Sequence, residues 1–344
     1  MRTRYVVLAL TVLLVAPAAA ISQSAAPAYH VARTIRLGGE GGWDDLVADP
    51  IGHRLYISRS SHVMVIDTKR DSVIGDIANT SGVHSIAIAR GLNRGFTSNG
   101  RDSSVTVFDL TTLAPITVIH GTGRNPDAIV YDSASNRVLA FNGGSASATV
   151  IDATNATIVG TIDLGGKPEF ARADPGGRVF VNLEDKNEIV ELDARDLKVL
   201  ARWPLAPCEG PTGLASDPPH SRLFSVCGNG VMAIVDTKSG RVVQTVPTGT
   251  GTDGAGFDPA TGLAFRSNGG GNLTIVHEDS PDTFSVVGNL PTQRGARTMT
   301  IDPATGRIYL VTAEFGPLPA PTPDRPRPRP PVIPGSFTLL VLEK

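Results

Sequence analysis

Side chains able to bind a polar ligand recur at one position of an internal repeat. Each copy of the repeat contains a tight turn, and the residue five places before this turn is ionisable or strongly polar in most copies. These residues are Asp44, His84, Asp127, Glu169, Thr212, Asp253 and Arg297. Because they occupy equivalent positions, we expect them to form a ring around one opening. Carboxylates, an imidazole and a guanidinium gathered there suit a cation or another polar ligand.

Neighbouring loop residues extend this prediction. Trp43, Arg124, Glu209 and Arg294 lie in the same loops and could add contacts. The ligand-binding set that we predict comprises Asp44, His84, Asp127, Glu169, Asp253, Arg297 and Arg294. A structural interpretation stays open beside it, because strand ends at a solvent edge are polar in any case and such an opening fills with water.

No catalytic motif accompanies these residues. The chain has no G-x-S-x-G, H-E-x-x-H, C-x-x-C-H or P-loop pattern, and its G-x-G-x-x-G at Gly249, Gly251 and Gly254 leads into a strand rather than a helix. A dinucleotide site needs the helix N-terminus for the pyrophosphate, so we interpret these glycines as a turn. No catalytic residue is therefore predicted.

The elements that carry the ring residues are short strands. The turns begin at Asp49, Ala89, Asp132, Asp174, Asp217, Asp258 and Asp302, at steps of 40 to 44 residues. An arginine follows each turn except in the sixth copy, where Leu263 stands. Another aspartate closes the third strand in five copies, at Asp67, Asp109, Asp152, Asp193 and Asp236. We expect these aspartates to form turns rather than to act in catalysis, because their side chains bond nearby backbone amides.

A period in the low forties with four strands per copy is typical of a β-propeller, here with seven antiparallel four-stranded blades. The seventh copy supplies three strands, near 297–302, 307–311 and 336–343, before the chain stops. Residues 30–37, HVARTIRL, match the missing fourth strand in pattern. The N-terminal strand is therefore predicted to complete the last blade and close the ring, which removes an exposed sheet edge.

The repeats also resemble a known family. The pattern D-P-x-x-x-R-(L/I)-(Y/F)-(I/V), followed by V-x-V-I-D-x-x-(T/S), resembles the YVTN β-propeller repeats of the YncE-like family over residues 30–344. The segments CEGPTGLASDPPHSRLFSVCGNG and HEDSPDTFSVVGNLPTQRGARTMTIDP are similar to an exported bacterial subgroup. The resemblance implies a seven-bladed propeller and an exported, envelope-associated binding protein. It implies no catalytic residue.

The first twenty residues have the form of a secretory signal peptide. MRTR is basic, YVVLALTVLLVAP is apolar but short for a membrane span, and Ala18-Ala19-Ala20 fits a cleavage site. We predict a signal peptide over 1–20, a flexible leader over 21–29 and the propeller over 30–344. The mature protein is then periplasmic or secreted, without a membrane span; a retained membrane anchor is the alternative.

Cys208 and Cys227 are the two cysteines of the chain, and both lie in the fifth copy. They fall at the same end of the hairpin formed by its first two strands. Because export leads to an oxidising compartment, we predict a disulfide between them. Two free buried thiols or a metal-binding pair are the alternatives.

The longest departure from the repeat is the insert at 312–335 in the last blade, which is rich in proline and arginine. Such a segment is extended and loses little freedom on ordering. One hypothesis is a flap across the loop-rich face, where long loops of compact domains bind ligands. A disordered surface loop is the other.

Composition limits the partners. A formal net charge of −2 leaves no basic excess for phosphates, so nucleic acid is not an expected partner. We predict an exported monomer that binds a polar ligand or a protein partner in the cell envelope, without a cofactor. The alternative is a metal-dependent hydrolase of lactonase type, with Asp44, Asp127, Glu169 and Asp253 as candidate ligands of a divalent cation and His84 as base. Against it, some of these carboxylates should lie too far apart across seven blades to share an ion. A redox-partner or quinone-enzyme relative ranks last, since no haem or quinone motif is visible.

Overall fold

Seven four-stranded antiparallel sheets form a ring in the computed structural model, which describes residues 28–322 and 328–344. The predicted seven-bladed β-propeller is therefore confirmed. The single 3-10 helix of the described residues is Arg90–Leu92. No helix in these ranges is long and apolar enough to cross a membrane. The predicted signal peptide and most of the predicted leader lie outside the described residues.

Each blade is numbered in chain order and built from consecutive strands. Blade 1 comprises β2 (Leu46–Asp49), β3 (Arg54–Ser58), β4 (Val63–Asp67) and β5 (Ser72–Ile77); blade 2 comprises β6 (Val83–Ala89), β7 (Arg94–Asn99), β8 (Ser104–Asp109) and β9 (Pro115–His120); blade 3 comprises β10 (Pro126–Asp132), β11 (Arg137–Asn142), β12 (Ser147–Asp152) and β13 (Thr157–Asp163); blade 4 comprises β14 (Pro168–Ala173), β15 (Arg178–Leu183), β16 (Glu188–Asp193) and β17 (Lys198–Pro204).

The remaining blades follow the same order. Blade 5 comprises β18 (Pro211–Asp217), β19 (Arg222–Cys227), β20 (Val231–Asp236) and β21 (Val242–Pro247); blade 6 comprises β22 (Gly254–Asp258), β23 (Leu263–Asn268), β24 (Asn272–Ser280) and β25 (Thr283–Pro291); blade 7 comprises β26 (Met299–Asp302), β27 (Arg307–Thr312), β28 (Thr338–Glu343) and β1 (His30–Arg36). In blade 7, β1 pairs antiparallel with β28, from His30 opposite Glu343 to Arg36 opposite Thr338.

Apolar side chains fill the space between neighbouring blades. The second and third strands of each blade are almost wholly buried, whereas the fourth strand alternates between exposed and half-buried residues. Between blades 5 and 6, for example, the rings of Phe224 and Phe257 stack with centroids 5.0 Å apart. The fold is thus held by contacts between blades, which leaves the loops at each end free to carry other side chains.

The repeated aspartates form turns, as predicted. Oδ1 of Asp132 accepts a hydrogen bond from the backbone N–H of Ala134 (3.0 Å), and Oδ1 of Asp302 accepts one from Ala304 (2.9 Å). The aspartates that end third strands do the same, as Asp67 does with the N–H of Lys69 (2.8 Å). These carboxylates are occupied by backbone donors, so the structure gives them a structural role.

Most of the repeated arginines connect one blade to the next. Arg94 of blade 2 donates to the carbonyl of Ala153 in blade 3 (3.0 Å), and Arg222 of blade 5 donates to that of Pro281 in blade 6 (2.8 Å). Blade 6 lacks this arginine. Its junction with blade 7 instead has Lys344 Nζ at 2.8 Å from Asp258 Oδ2.

Cys208 and Cys227 form a disulfide, with their Cα atoms 5.5 Å apart. This confirms the predicted pairing, and the alternatives of free thiols or a metal-binding pair are wrong. Both residues are buried, at the loop-rich end of blade 5. A disulfide indicates a non-cytoplasmic, oxidising compartment.

Candidate functional site

The predicted ring residues lie at or just before the start of the first strand in their blades, at one mouth of the central channel. His84, Asp127 and Glu169 are each the second residue of such a strand. Asp44 and Arg297 precede theirs by two residues, and Asp253 precedes its strand directly. The repeat therefore places them at similar levels, and their side chains decide which of them meet.

Five of the ring residues form a continuous arc of alternating charge. Arg297 Nε lies 2.9 Å from Asp253 Oδ2, and its Nη2 lies 4.0 Å from Asp44 Oδ1. His84 Nδ1 lies 2.6 Å from Asp44 Oδ2 and 3.6 Å from Asp127 Oδ1. All five side chains are about one-quarter to one-third exposed. The arc thus spans blades 6, 7, 1, 2 and 3 and faces solvent.

Glu169 continues the arc through a residue that the sequence prediction missed. Lys167 Nζ lies 2.8 Å from Glu169 Oε1 and also contacts Glu184. Lys167 stands two residues before Glu169 in the loop that enters blade 4. Its position in this loop would have allowed the sequence analysis to include it in the predicted site. Two carboxyl groups at this point of the mouth therefore share one ammonium group.

Other loop residues do not join the arc. Thr212 is buried, and its hydroxyl donates to the backbone carbonyl of Thr252 (3.1 Å). Arg124 donates to the carbonyl of Gly144 (2.8 Å), whereas the backbone N–H of Glu209 is bound by Asn229 (3.2 Å). These contacts are structural, so the expectation that Arg124 and Glu209 add to the site gains no support.

A buried arginine holds the loop that carries Trp43 and Asp44. The Arg59 side chain is fully buried and donates to the carbonyls of Gly38 (3.1 Å), Glu40 (2.8 Å), Gly41 (3.1 Å) and Gly42 (3.2 Å). Its guanidinium carbon lies 3.7 Å from the centroid of the Phe337 ring. One side chain thus satisfies four loop carbonyls that would otherwise lack donors.

Beside the arc lies a second, chemically different cavity of about 380 Å³. It is lined by Trp43 and Phe315, whose ring centroids are 6.2 Å apart, and by Arg294, Arg297 and Arg329. Among the described residues, Arg294 and Arg329 take part in no salt bridge. Aromatic faces with unpaired guanidinium groups suit an anionic group attached to an apolar body.

The insert forms one wall of this arginine–aromatic cavity. Its two flanks pair antiparallel at Phe315 and Val332, and the N–H of Gly316 donates to the carbonyl of Pro331 (2.8 Å). Residues 323–327 lie outside the described residues. The flanks therefore run beside the mouth, the position that the flap hypothesis requires.

Below the arc, the channel widens into a cavity of about 550 Å³ with a mostly apolar lining. Asp45 and Arg172 are among the ionisable residues of that lining. Ser85 donates to Asp45 Oδ2 (2.6 Å), yet burial still raises the pKa of Asp45 to about 7. Burial also lowers the pKa of Arg172. The sequence prediction included neither residue.

The mouth holds carboxylates under electrostatic stress. Burial, together with the charges of Asp44 and Asp253, raises the pKa of Asp127 to about 6 against the opposing effect of His84. Burial and the Asp127 charge likewise raise the pKa of Glu169, and burial raises that of Asp253. For His84, burial lowers the pKa, but the Asp44 hydrogen bond and the nearby carboxylates outweigh it and raise the pKa. The mouth therefore holds carboxyl groups at places where burial, aided by neighbouring carboxylates, disfavours their charge.

This stress gives a prediction for stability. The Asp127 pKa is raised above its ordinary value of 3.8, so ionising this carboxyl opposes folding above about pH 6, and the cost disappears as the pH falls below 4. We therefore expect Asp127→Asn to raise the free energy of unfolding at pH 7.5 by about 1–2 kcal/mol. Urea unfolding of both proteins at pH 7.5 and pH 4 measures it. The difference should vanish at pH 4, and destabilisation at pH 7.5 would contradict the expectation.

The arc also bears on the hydrolase alternative. Asp44, His84 and Asp127 each offer a ligand atom, and these atoms lie within 4.8 Å of one another, whereas Glu169 and Asp253 are not part of that group. Two of the four carboxylates, Asp44 and Asp127, are thus close enough to share an ion. Their donor set could hold a divalent cation.

Solved structures are similar to this chain in fold. The chain shares 18% identity with hydrazine synthase of Kuenenia stuttgartiensis, with a TM-score of 0.67 over 78% of this chain and 92% of that one. A chain of the mitotic checkpoint complex shares 13% identity, with a TM-score of 0.72 over 100% of this chain and 99% of that one. The WD40 repeats of RRP9 share 9% identity, with a TM-score of 0.75 over 92% of this chain and 100% of that one. None of these three is named as a lactonase, so they lend the hydrolase alternative no support.

No protein-family model and no curated protein matches the sequence. Membership of the YncE-like family and its exported subgroup therefore stays a prediction from the repeat pattern. Identities below 25% show the fold alone. In fold, the chain is a seven-bladed β-propeller, an architecture that commonly serves as a protein-interaction module.

Proposed function

We propose that this protein is an exported binding module that takes a polar ligand, or a segment of a protein partner, at the loop-rich mouth of its channel. The observation that carries the proposal is the arc of Asp44, His84, Asp127 and Asp253 with the neighbouring Glu169. These carboxylates crowd together at a cost in folding free energy that the blades do not require. A cationic group of a ligand would relieve that cost.

The two sides of the mouth indicate the chemistry of the ligand. Trp43 lines the arginine–aromatic cavity and also a cavity of about 420 Å³ that contains Asp44 and His84. A ligand lying across Trp43 would meet carboxylates on one side and the guanidinium groups of Arg294 and Arg329 on the other. A peptide-like ligand with an ammonium group and a terminal carboxylate beside an aromatic ring matches both sides.

The setting of this function is also part of the proposal. The disulfide supports an oxidising compartment, and the basic and apolar pattern of residues 1–20 supports export to the periplasm or beyond. We propose a monomeric envelope protein that acts without nucleic acid and needs no cofactor for binding. One similar structure comes from a multiprotein complex, which supports an interaction role for the architecture.

Calorimetric titration of the mature protein with the N-acetylated tripeptide Lys-Gly-Phe, whose only cation is the lysine side chain, tests the proposal. Two altered peptides serve as probes: one is amidated at its C-terminus, and the other has norleucine in place of lysine. We expect saturable binding of the parent peptide and at least tenfold weaker binding of each altered one, because each loses one charge-assisted contact. Equal binding of all three peptides, or none, would contradict the proposed ligand chemistry.

Two variants locate the contacts. Asp127→Asn should weaken binding of the parent peptide at least tenfold and leave binding of the norleucine peptide unchanged. Arg294→Met should weaken binding of the parent peptide at least tenfold and leave binding of the amidated peptide unchanged. Arg195→Met removes a cation that donates to the Ala134 carbonyl on the opposite end of the ring and serves as the matched control. A control variant that weakens binding as much as Arg294→Met would show that the effect is not specific to the mouth.

A further inference from the structure

On the face of the ring opposite the mouth, the junction of blades 5 and 6 contains three ligating side chains. Asp217 ends β18, His220 lies three residues later in the following turn, and Glu278 lies near the end of β24. His220 Nδ1 is 2.6 Å from Asp217 Oδ2 and 3.4 Å from Glu278 Oε2. We refer to these three residues as the junction cluster.

The junction cluster departs from the repeat at two of its members, and the first is Asp217. In blades 3, 4, 6 and 7 the turn aspartate accepts a hydrogen bond from the backbone N–H two residues on, as Asp132 does from Ala134. Asp217 has Pro219 at that place, and proline has no N–H. The Asp217 carboxylate is therefore free to turn toward His220.

Glu278 is a second departure. It directly follows His277, the counterpart of the aspartates that close the third strand in earlier blades, and its place is occupied in blades 1 to 5 by Thr68, Leu110, Ala153, Ala194 and Thr237. Neutral side chains thus give way to a carboxylate at one junction, where it faces a second carboxylate. Two departures that converge on the same point need a common reason.

Burial makes the pair of carboxylates costly without a partner. The Asp217 side chain is 2% exposed and the Glu278 side chain is 6% exposed. Glu278 Oε1 has no hydrogen-bond partner among residues 28–322 and 328–344. The Arg222 guanidinium at the same junction is engaged by Asp282 at 2.8 Å and by the Pro281 carbonyl. A buried, unpartnered carboxylate oxygen beside a second carboxylate calls for an additional cation.

We propose that Asp217, His220 and Glu278 bind one divalent cation of the zinc class. The three ligand atoms lie within 4.8 Å of one another, close enough to surround one ion after small side-chain movements. Imidazole with carboxylate oxygens suits zinc, whereas calcium and magnesium take more oxygen ligands. His220 is 58% exposed, so water occupies the open coordination position and the ion enters from solvent. The bound ion connects blade 5 to blade 6.

Titration of the metal-depleted mature protein with Zn²⁺ in competition with a chromophoric chelator tests the site. Glu278→Gln keeps the shape and removes the charge, and we expect it to weaken Zn²⁺ binding at this site at least tenfold. Asp279→Asn makes the same change one residue later, outside the junction cluster, and is the matched control. Asp127→Asn in the mouth identifies any second equivalent of Zn²⁺ that binds there, so this experiment and the peptide titration fail independently.

Three results decide the proposal. The proposal is supported if Zn²⁺ binding weakens in Glu278→Gln and in His220→Ala but persists in Asp279→Asn and Asp127→Asn. The link between blades is supported if Zn²⁺ raises the Tm of the unaltered protein but not that of Glu278→Gln or His220→Ala. His220→Ala changes an exposed ring, so it keeps the test open where Glu278→Gln does not fold. Equal Zn²⁺ binding by all variants, or none by the unaltered protein, would overturn it and leave the two carboxyl groups sharing a proton.

Discussion

Replacing Arg59 by methionine is expected to lower the free energy of unfolding by about 3–5 kcal/mol, because several loop carbonyls lose their donors at once. Methionine keeps an apolar side chain of similar length against the Phe337 ring but donates no hydrogen bond. The four carbonyls at residues 38 and 40–42 would then lose the donor that holds them together, and the loop would have to rearrange to bind water instead. Urea unfolding at pH 7.5 measures the change.

The same variant should affect the mouth. The loop held by Arg59 continues directly into Trp43 and Asp44, so its release should weaken peptide binding as well as stability. Arg59→Lys should recover little of either, since an ammonium group lacks the planar fork that reaches several carbonyls. Arg36→Met is the control, because this exposed arginine forms only a surface ion pair with Glu314 and should change stability by less than about 1 kcal/mol. A similar loss in both methionine variants would contradict the assigned role of Arg59.

Removing the disulfide by the double substitution Cys208→Ala and Cys227→Ala is expected to cost about 3 kcal/mol. The bond joins residues 19 apart, and a closed loop of this size restricts the unfolded chain by roughly that amount in the chain-entropy model. Both side chains are buried, and because alanine is apolar the substitution leaves no unpaired polar group at either position. Thermal or urea unfolding of the oxidised protein and the variant measures the difference.

A reducing agent provides the internal control for this prediction. It should lower the stability of the unaltered protein to about that of the double-alanine variant and leave the variant unchanged. If the reductant destabilises both proteins equally, the stabilisation does not come from the disulfide. The bond also lies next to the loop that enters blade 5, so its loss should loosen the side of the mouth opposite Asp44 without removing a charge.

Stability and binding are opposed at the mouth. Arg59, the disulfide and the arginines between blades stabilise the ring, whereas Asp127 lies where burial disfavours its charge. Crowded like charges at one end of a stable scaffold are typical of binding sites. Asp127→Asn separates the two properties, since it should raise the free energy of unfolding at pH 7.5 and weaken peptide binding.

Repetition explains why much of the fold could be predicted. The turn aspartates and the steps of 40 to 44 residues are local features that recur along the chain, so blade number and strand order follow from a count. Register within the repeat also predicted which residues would lie at the mouth. The cysteine pair could be predicted because neighbouring antiparallel strands bring both residues to one end of a hairpin.

Only the tertiary structure decided which of these side chains meet. Thr212 and Asp127 occupy equivalent positions in the repeat, yet the Thr212 hydroxyl donates to a backbone carbonyl whereas the Asp127 carboxylate faces His84. Their side chains differ because each rotamer depends on the neighbouring residues of the adjacent blade. Lys167 and Arg59 have no counterpart in the repeat and act through contacts across loops. Glu278 meets Asp217 from 61 residues away along the chain. Period and composition carry the architecture since they are local, whereas the charge balance of each site depends on contacts that form when the ring is complete.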